Sequence, residues 1–441
     1  MLFPLSPRDW LPADHLVYCV LDLVGQFDLS EIEGRYRHRD ARGEKAYHPA
    51  MMTALLLYGY ATGVASSRRL ERATYEDVAV RILTAGQHPD HTRISEFRRQ
   101  HLEALAKLFV QMLTVCQKAG MIKLGHVALD GTKVKANASK HKAMSYERMV
   151  KSERELAAEV AALLQRAEEV DGEEDGRYGR GVGGDELPAE LRRREERLAR
   201  LRAAKAALEA EAARAARREK GRDDRPPPSP GAGCPELPRH RIPTTKDGGP
   251  APRAQRNFTD AESRIMKHQG GYLQGYNGQL AVDDAHQVVV AHGLSNQAAD
   301  VEHLPAMVAR IEANTGGRPQ YLTADAGYFS EANLAECDRR RITALIATGR
   351  VKHGGGVSPL RGQPPREGDG KGRMWRRLRS EVGRALYARR KAVVEPCIGQ
   401  IKGRGFGRLL LRGCAKAAAE WGLIAMTHNL LKYYRVAWQP A

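Results

Sequence analysis

Strand periodicity in this chain begins, breaks off and begins again far downstream, and that interruption limits what the chain can fold into. In HVALDGTKVKANAS, Val127 and Leu129 alternate, followed by Val134 and Ala136, the period of a half-buried strand. The pattern resumes only at GGYLQGYNGQLAVDDAHQVVVAHGLS, where two alternating runs meet at Asp283, Asp284 and Ala285 in a hairpin turn. Between them, Met149, Leu156 and Leu163 recur every seven residues, as do Leu191 and Leu198, with Leu201 and Leu208 on an adjacent seam. Charged residues such as Arg192, Glu196 and Arg200 fill the intervening positions at helical spacing. A glycine-rich stretch between the two runs lets them fold back as a helical hairpin, and the proline-rich GRDDRPPPSPGAGCPELPRHRIPTTKDGGPAPRAQ closes the segment as a linker. Residues 144–256 therefore read as an arm inserted into a sheet domain. Without the arm the order is strand, hairpin, helix, strand, helix, strand, helix, which predicts a mixed sheet with flanking helices. Its two parts are 121–143 and 257–441.

Residues 1–120 read as a separate all-α domain. HPAMMTALLLYGYATG is an apolar helix ending at Gly63, and Ser66, Ser67, Asp90 and Thr92 are cap candidates for those that follow. Short helices with tight polar turns resemble a helix-turn-helix module whose last helix carries Arg93, Arg98 and Arg99. Those arginines suit phosphate or base-edge contacts; a solvated helix face is the alternative. With 71 lysines and arginines against 53 acids, the formal net charge is +18, which points to a polyanionic partner, nucleic acid first. Six scattered cysteines without a Cys-x-x-Cys pair argue against a zinc ribbon or disulfide framework and suit a reducing cytoplasm. No signal peptide or membrane span is expected.

Within this basic chain three acids stand out. Asp130 lies in the first strand, Asp325 ends YLTAD, and Glu395 is the only acid in RRKAVVEPCIGQIKGRGFGRLLLRG, among seven arginines and lysines. Acids at the carboxyl ends of neighbouring strands, about 4.8 Å apart, can share oxygen-seeking ions such as Mg²⁺. Each also has an ordinary reading. Asp130 before Gly131 suits a turn, Asp325 a loop cap, and Glu395 an ion pair with Arg389 or Lys402. Pro396 biases Glu395 away from helix and predicts a first turn or kink there. GTKVK lacks the upstream glycine of a phosphate-binding P-loop. MTHNLLKYYR gathers His428, Tyr433, Tyr434 and Arg435, but a strand-rich chain does not suit a tyrosine recombinase.

These segments, taken in order, resemble the DDE transposases of bacterial insertion sequences, in the branch with a tyrosine, arginine, glutamate and lysine signature, and look closest to the insertion-sequence family numbered eleven eighty-two. The resemblance runs from LLLYGYATGVASSRRLERATYEDVAVRILTAGQHPDHTRISEFRR through LDGTKVKANAS and LTADAGYFS to ALYARRKAVVEPCIGQIKGRGFGRLLLRG. It implies an α/β, RNase H-like mixed five-stranded sheet, with Asp130, Asp325 and Glu395 as a metal-binding triad for two Mg²⁺, Mn²⁺ being a substitute. Tyr387 and Lys402 match the flanking signature positions. Arg390 has the usual spacing from Tyr387, whereas Lys391 has the usual spacing to Glu395; Arg390 is taken as the signature arginine, and Tyr387, Arg390 and Lys402 are the implied DNA contacts. Gly407 departs from the pattern, since relatives commonly carry arginine there. The implied activity is cleavage of element ends and their joining to target DNA by a homodimer on paired terminal inverted repeats, at the nucleoid, with no membrane or small-molecule substrate. An inactive DNA-binding derivative, or a structure-specific nuclease of the same fold, would share these features.

Overall fold

The first strand, β1 (His126–Lys135), is buried along Val127, Ala128 and Leu129 without alternation, as a central strand covered on both faces must be. In the computed structural model, which describes residues 7–34, 36, 46–178, 189–219, 236–268, 270–349 and 369–440, seven helices precede it. They are α1 (Leu16–Gln26), α2 (Ser30–Glu33), α3 (Pro49–Thr62), α4 (Ser67–Glu76), α5 (Val78–Leu83), α6 (His91–Gln100) and α7 (Leu102–Lys118). After β1 come β2 (Ala143–Ser145), α8 (Tyr146–Tyr178), α9 (Ala189–Glu219), β3 (Gln255–Asn257), β4 (Arg264–His268), β5 (Gly271–Asp283) and β6 (Val289–Ser295). The chain ends with α10 (Leu304–Thr315), β7 (Tyr321–Ala324), α11 (Glu331–Arg339), β8 (Thr343–Ile346), α12 (Gly370–Arg379), α13 (Glu381–Ile401) and α14 (Cys414–Val436). Among the described residues no helix is long and apolar enough to cross a membrane, and Cys19, Cys116, Cys337, Cys397 and Cys414 are free and buried.

Two compact units result. One comprises Met1–Asn137, Gly233–Arg239 and Met266–Ala441; the other comprises Ala138–Ala232 and His240–Ile265. The sheet runs β4-β5-β1-β7-β8, with β6 also paired to β5. β5 is antiparallel to β1 and β6, while β7 and β8 run parallel to their neighbours through the crossover helices α10 and α11. The mixed α/β architecture is the expected one, with six strands where five were expected. β5 is 13 residues long and the β6 register covers only Asn277–Val282, so β5 has length left for a further partner. Arg264–His268 is basic and looks like linker, yet Arg264 and Met266 are buried and Ile265 is exposed, the alternation of a strand.

α14 packs on this sheet as a buried helix. Gly278 of β5 makes room for it, because a Cβ there would lie 2.8 Å from the Trp421 ring. Asn429 completes the β6 ladder, donating to Val289 O and accepting from Val289 N, both at 2.8 Å. The N-terminal helices are part of the same unit. Tyr60 of α3 donates to the buried Glu420 of α14 at 3.3 Å and stacks on Phe406. Glu420 also accepts the backbone N–H groups of Leu410 and Leu411, which fixes the turn entering α14.

In the second unit, α8 and α9 pack antiparallel. Leu156 and Val160 meet Leu198, Met149 meets Leu201 and Ala204, and Leu208 closes on Ile242 and Ala254. Of the heptad positions read from the sequence, Met149, Leu156, Leu163, Leu198, Leu201 and Leu208 face inward, and the Leu191 side chain lies outside the described residues. The short β2–β3 pair closes its base. Residues 179–188 and 220–235, which hold part of the glycine-rich and proline-rich stretches, lie outside the described residues, as does 350–368.

Candidate active site

Parallel pairing brings the first two acids together. β1 pairs β7 with Val127 opposite Leu322 and Ala128 opposite Thr323. Carrying that register on by two residues sets Asp130 across from Asp325, about one strand spacing away. Asp325 is also a cap: its Oδ1 accepts the Gly327 N–H at 2.9 Å and starts the short 3₁₀ turn Ala326–Tyr328. Asp130 lies within β1 rather than in a turn, and its Oδ1 accepts the adjacent Gly131 N–H at 2.8 Å.

The other Asp130 oxygen is held by α13. Arg390 Nη1 donates to Asp130 Oδ2 at 2.9 Å, with the two side chains only 8% and 18% exposed. Burial raises the Asp130 carboxyl to about 6, Arg390 pulling it down and Asp325 pushing it up. Burial raises Asp325 as well. Arg390 is held above its usual range, because Asp130 and Tyr387 outweigh the effect of burial. Tyr387 is half-buried one turn earlier, its ring centroid 5.9 Å from the Arg390 guanidinium carbon. Of the two candidates for the signature arginine position, Arg390 turns inward and Lys391 is exposed.

Glu395 stands apart from this cluster. It is exposed on α13, and at about 100° per residue it lies some 140° around the helix from Arg390. Among the described residues, no three His, Cys, Asp or Glu side chains converge as a metal site. α13 runs through Pro396, so Glu395 lies well inside the helix and not at a first turn. Proline has no N–H for the Ala392 carbonyl, and Gln287 replaces it, donating from Nε2 at 2.8 Å. Lys432 in turn donates to Gln287 Oε1 at 2.7 Å, so this contact ties α13 to the β5–β6 turn and α14. Lys402 follows the last turn of α13, and burial lowers its pKa.

The three N-terminal arginines separate by place. Arg93 and Arg99 are exposed on α6, Arg99 lying 3.8 Å from Glu96. Arg98 is 6% exposed and points inward, donating to Ala65 O at 2.8 Å and Tyr60 Oη at 3.3 Å. The expectation of a surface Arg98 is therefore corrected. Its guanidinium fastens α6 to α3 and joins the Tyr60–Glu420 contact. A cleft of about 730 Å³ opens where α4 and α6 begin, lined by Ser66, Ser67, Arg68, Thr92, Ser95 and Arg99 among others.

A group around Asp300, between β6 and α10, had no sequence signal. Its Oδ1 accepts from Asn277 Nδ2 at 2.6 Å and Gln279 Nε2 at 2.8 Å, with Lys133 Nζ at 3.7 Å. The donor set fits a divalent cation: two carboxylates, both biased by burial toward holding a proton, supply oxygen ligands from neighbouring strands.

Residues 5–100 match a family model described as Transposase domain (DUF772), and residues 240–430 match one described as Transposase DDE domain. No curated protein and no solved structure matches the chain. The first match takes in α1–α6, and the second takes in β5–β8 and α13 with Asp325 and Glu395. Asp130 falls in neither, so its place rests on the strand register. The 240–430 match supports an RNase H-like fold for the mixed sheet, and both matches support a transposase.

Proposed function

We propose that the protein is a DDE transposase that cuts the ends of a mobile element and joins them to target DNA, with Asp130, Asp325 and Glu395 as the acids of its site. The observation that carries this reading is the register-opposed pair Asp130 and Asp325, faced by the basic helix α13 inside a chain with two transposase domain matches. The acids would hold Mg²⁺, two ions in the full site, with Mn²⁺ as a substitute. Bound there, the metal supplies Lewis acidity for phosphodiester hydrolysis and transesterification.

The chain's own residues supply the rest. Asp130 from within β1 and Asp325 from the end of β7 present oxygen ligands on rigid strands, and Glu395 extends from the exposed side of α13. Arg390 holds Asp130 in one rotamer and offsets its charge. Tyr387, Lys402, Arg93 and Arg99 contact the DNA backbone, the two α6 arginines beside the cleft at the start of α4. A homodimer pairs the two ends, and the arm of the second unit assists that assembly. The protein works on chromosomal DNA in the cytoplasm.

The test uses duplexes copied from the DNA bordering the gene. Asp130→Asn, Asp325→Asn and Glu395→Gln should each abolish Mg²⁺-dependent cleavage and strand transfer while binding of the end duplex persists. Normal strand transfer by any of the three would overturn the triad. Cleavage without joining would make the protein a nuclease of the same fold, and sequence-selective binding with neither would make it a DNA-binding derivative.

A further inference from the structure

The mechanism above leaves unused an ordered polar chain beside the two aspartates. Tyr328, fully buried, donates its hydroxyl to Gln279 Oε1. That contact fixes the amide orientation, since Oε1 accepts and Nε2 must then be the donor that reaches Asp300 Oδ1. Asn277, also fully buried, donates to the same oxygen. Asp300 pairs with Lys133, whose ammonium also donates to Ala298 O at 2.7 Å. The side chains of Lys133 and Asp300 are 16% and 22% exposed.

The position of this chain matters more than its extent. A Cβ on Gly327 would lie 3.0 Å from Asp325 Oδ1 and 3.6 Å from Asp300 Oδ2, so the two carboxylates flank the same glycine. Lys133 lies within electrostatic reach of Asp300, Asp325 and Asp130 together. Gly131, next to Asp130, leaves room for the arrangement, because any Cβ there would come within 2.6 Å of both Asp300 Oδ1 and Gln279 Nε2. A lysine has three donors, and Lys133 gives one to Ala298 O. A half-buried ion pair costs desolvation that apolar packing would avoid, so stability alone is a poor reason for this one.

We propose that Lys133 is a substrate-contacting residue of the cleavage site, its ammonium holding a non-bridging oxygen of the scissile phosphodiester beside Asp130 and Asp325, and that Asp300 is the positioning residue that aims it. This rests on the transposase reading but assigns groups outside the three acids.

The experiment measures binding by fluorescence anisotropy without divalent metal. It uses the full chain, a duplex from the gene border, and the same duplex with one neutral methylphosphonate at the cleaved step. Loss of one charge-assisted contact should weaken wild-type binding to the neutral probe roughly tenfold. Lys133→Gln should bind the native duplex about as weakly as wild type binds the neutral probe, with no further loss on the neutral probe. Lys133→Arg should recover part of the affinity. Asp300→Asn, nearly isosteric, and Gly131→Ala keep the lysine but disturb its holder, so each should give a smaller loss with the same non-additivity. The proposal is overturned if the Lys133→Gln and methylphosphonate losses multiply, or if folded Lys133→Gln binds the native duplex normally. A wild-type protein that binds scrambled duplex equally well and cleaves neither with Mg²⁺ overturns the transposase reading itself, and the proposal with it.

Discussion

Replacing Arg390 by methionine removes the guanidinium bonded to Asp130 and keeps most of the aliphatic bulk. Breaking a buried ion pair from one side commonly costs about 3–5 kcal/mol, because the partner is left charged and unpaired. Asp130 has an escape that limits this cost. Its carboxyl is already raised from 3.8 to about 6, by burial first, with Arg390 opposing. At about 1.36 kcal/mol per pKa unit, that existing shift amounts to about 3 kcal/mol at pH 7. The most Asp130 can cost at pH 7 is full protonation of a carboxyl whose unfolded value is 3.8, about 4.4 kcal/mol. Removing Arg390 can therefore add no more than about 1.4 kcal/mol through Asp130. Methionine also relieves the burial of a guanidinium whose Nε has no partner, so the expected net loss is about 1 kcal/mol or less.

The sign with pH follows from a folded pKa above the unfolded one. In the wild type, the Asp130 contribution falls as pH rises from about 4 to about 6 and is then constant. In Arg390→Met the fall continues above pH 6, so the gap between the proteins opens at pH 7 and closes toward pH 5. Urea unfolding in EDTA at both values measures it. Tryptophan fluorescence isolates the relevant unit, because all four tryptophans (Trp10, Trp375, Trp421 and Trp438) belong to the unit that holds the sheet. A second readout is Mn²⁺ affinity without DNA. With its cationic competitor gone from Asp130 Oδ2, binding should tighten roughly tenfold, the equivalent of one charge-assisted hydrogen bond. A loss of about 3–5 kcal/mol at pH 7 with unchanged Mn²⁺ affinity would refute the reasoning, since Asp130 would then be unable to take up a proton.

Gln287→Glu keeps the side chain's shape but replaces the donor facing the Ala392 carbonyl with an acceptor, and should lower stability by about 1 kcal/mol. Pro396→Ala supplies a backbone N–H to that carbonyl, so adding it to Gln287→Glu should recover part of the loss; simple additivity in urea midpoints would exclude the Gln287 bridge. The α6 arginines should divide between stability and binding. Arg98→Met should destabilise by about 1–3 kcal/mol, chiefly through the stranded Ala65 carbonyl, since the Tyr60 hydroxyl keeps its bond to Glu420, without changing the salt dependence of DNA binding. Arg99→Gln should leave the urea midpoint in place and lower the salt slope by about one, and the reverse assignment would show that the buried and exposed arginines have been exchanged.

What could be read from the sequence was local. Alternation marked β1 and the β5–β6 hairpin, and position within one strand and at the end of another singled out Asp130 and Asp325 before any register was known. The Arg98 error came from treating charge as a sign of exposure. Ile94, Phe97 and Arg98 lie at i, i+3 and i+4, so helical period alone puts Arg98 on the buried face with the two apolar residues. Trusting the period over the residue type would have placed it correctly.

The features that stayed hidden depend on partners far apart in the chain. Nothing around Pro396 announces that Gln287 will serve the carbonyl it leaves without a donor, so the local bias of Glu395 away from helix was sound and tertiary structure overrode it. Asp300 ends NQAAD, a polar loop with no period, and its role emerges only when β5 delivers Asn277 and Gln279 and β1 delivers Lys133. Gly131 connects the two kinds of information. Beside Asp130 it reads as a turn residue, yet its backbone continues the strand, pairing with Gln279 of β5. The missing side chain is needed because a carboxylate from a distant loop occupies that space. A glycine inside a strand with no turn to make is therefore a sequence signal of close approach by another group. In the middle of β1 it points to the face of the site that Asp300 and Lys133 occupy.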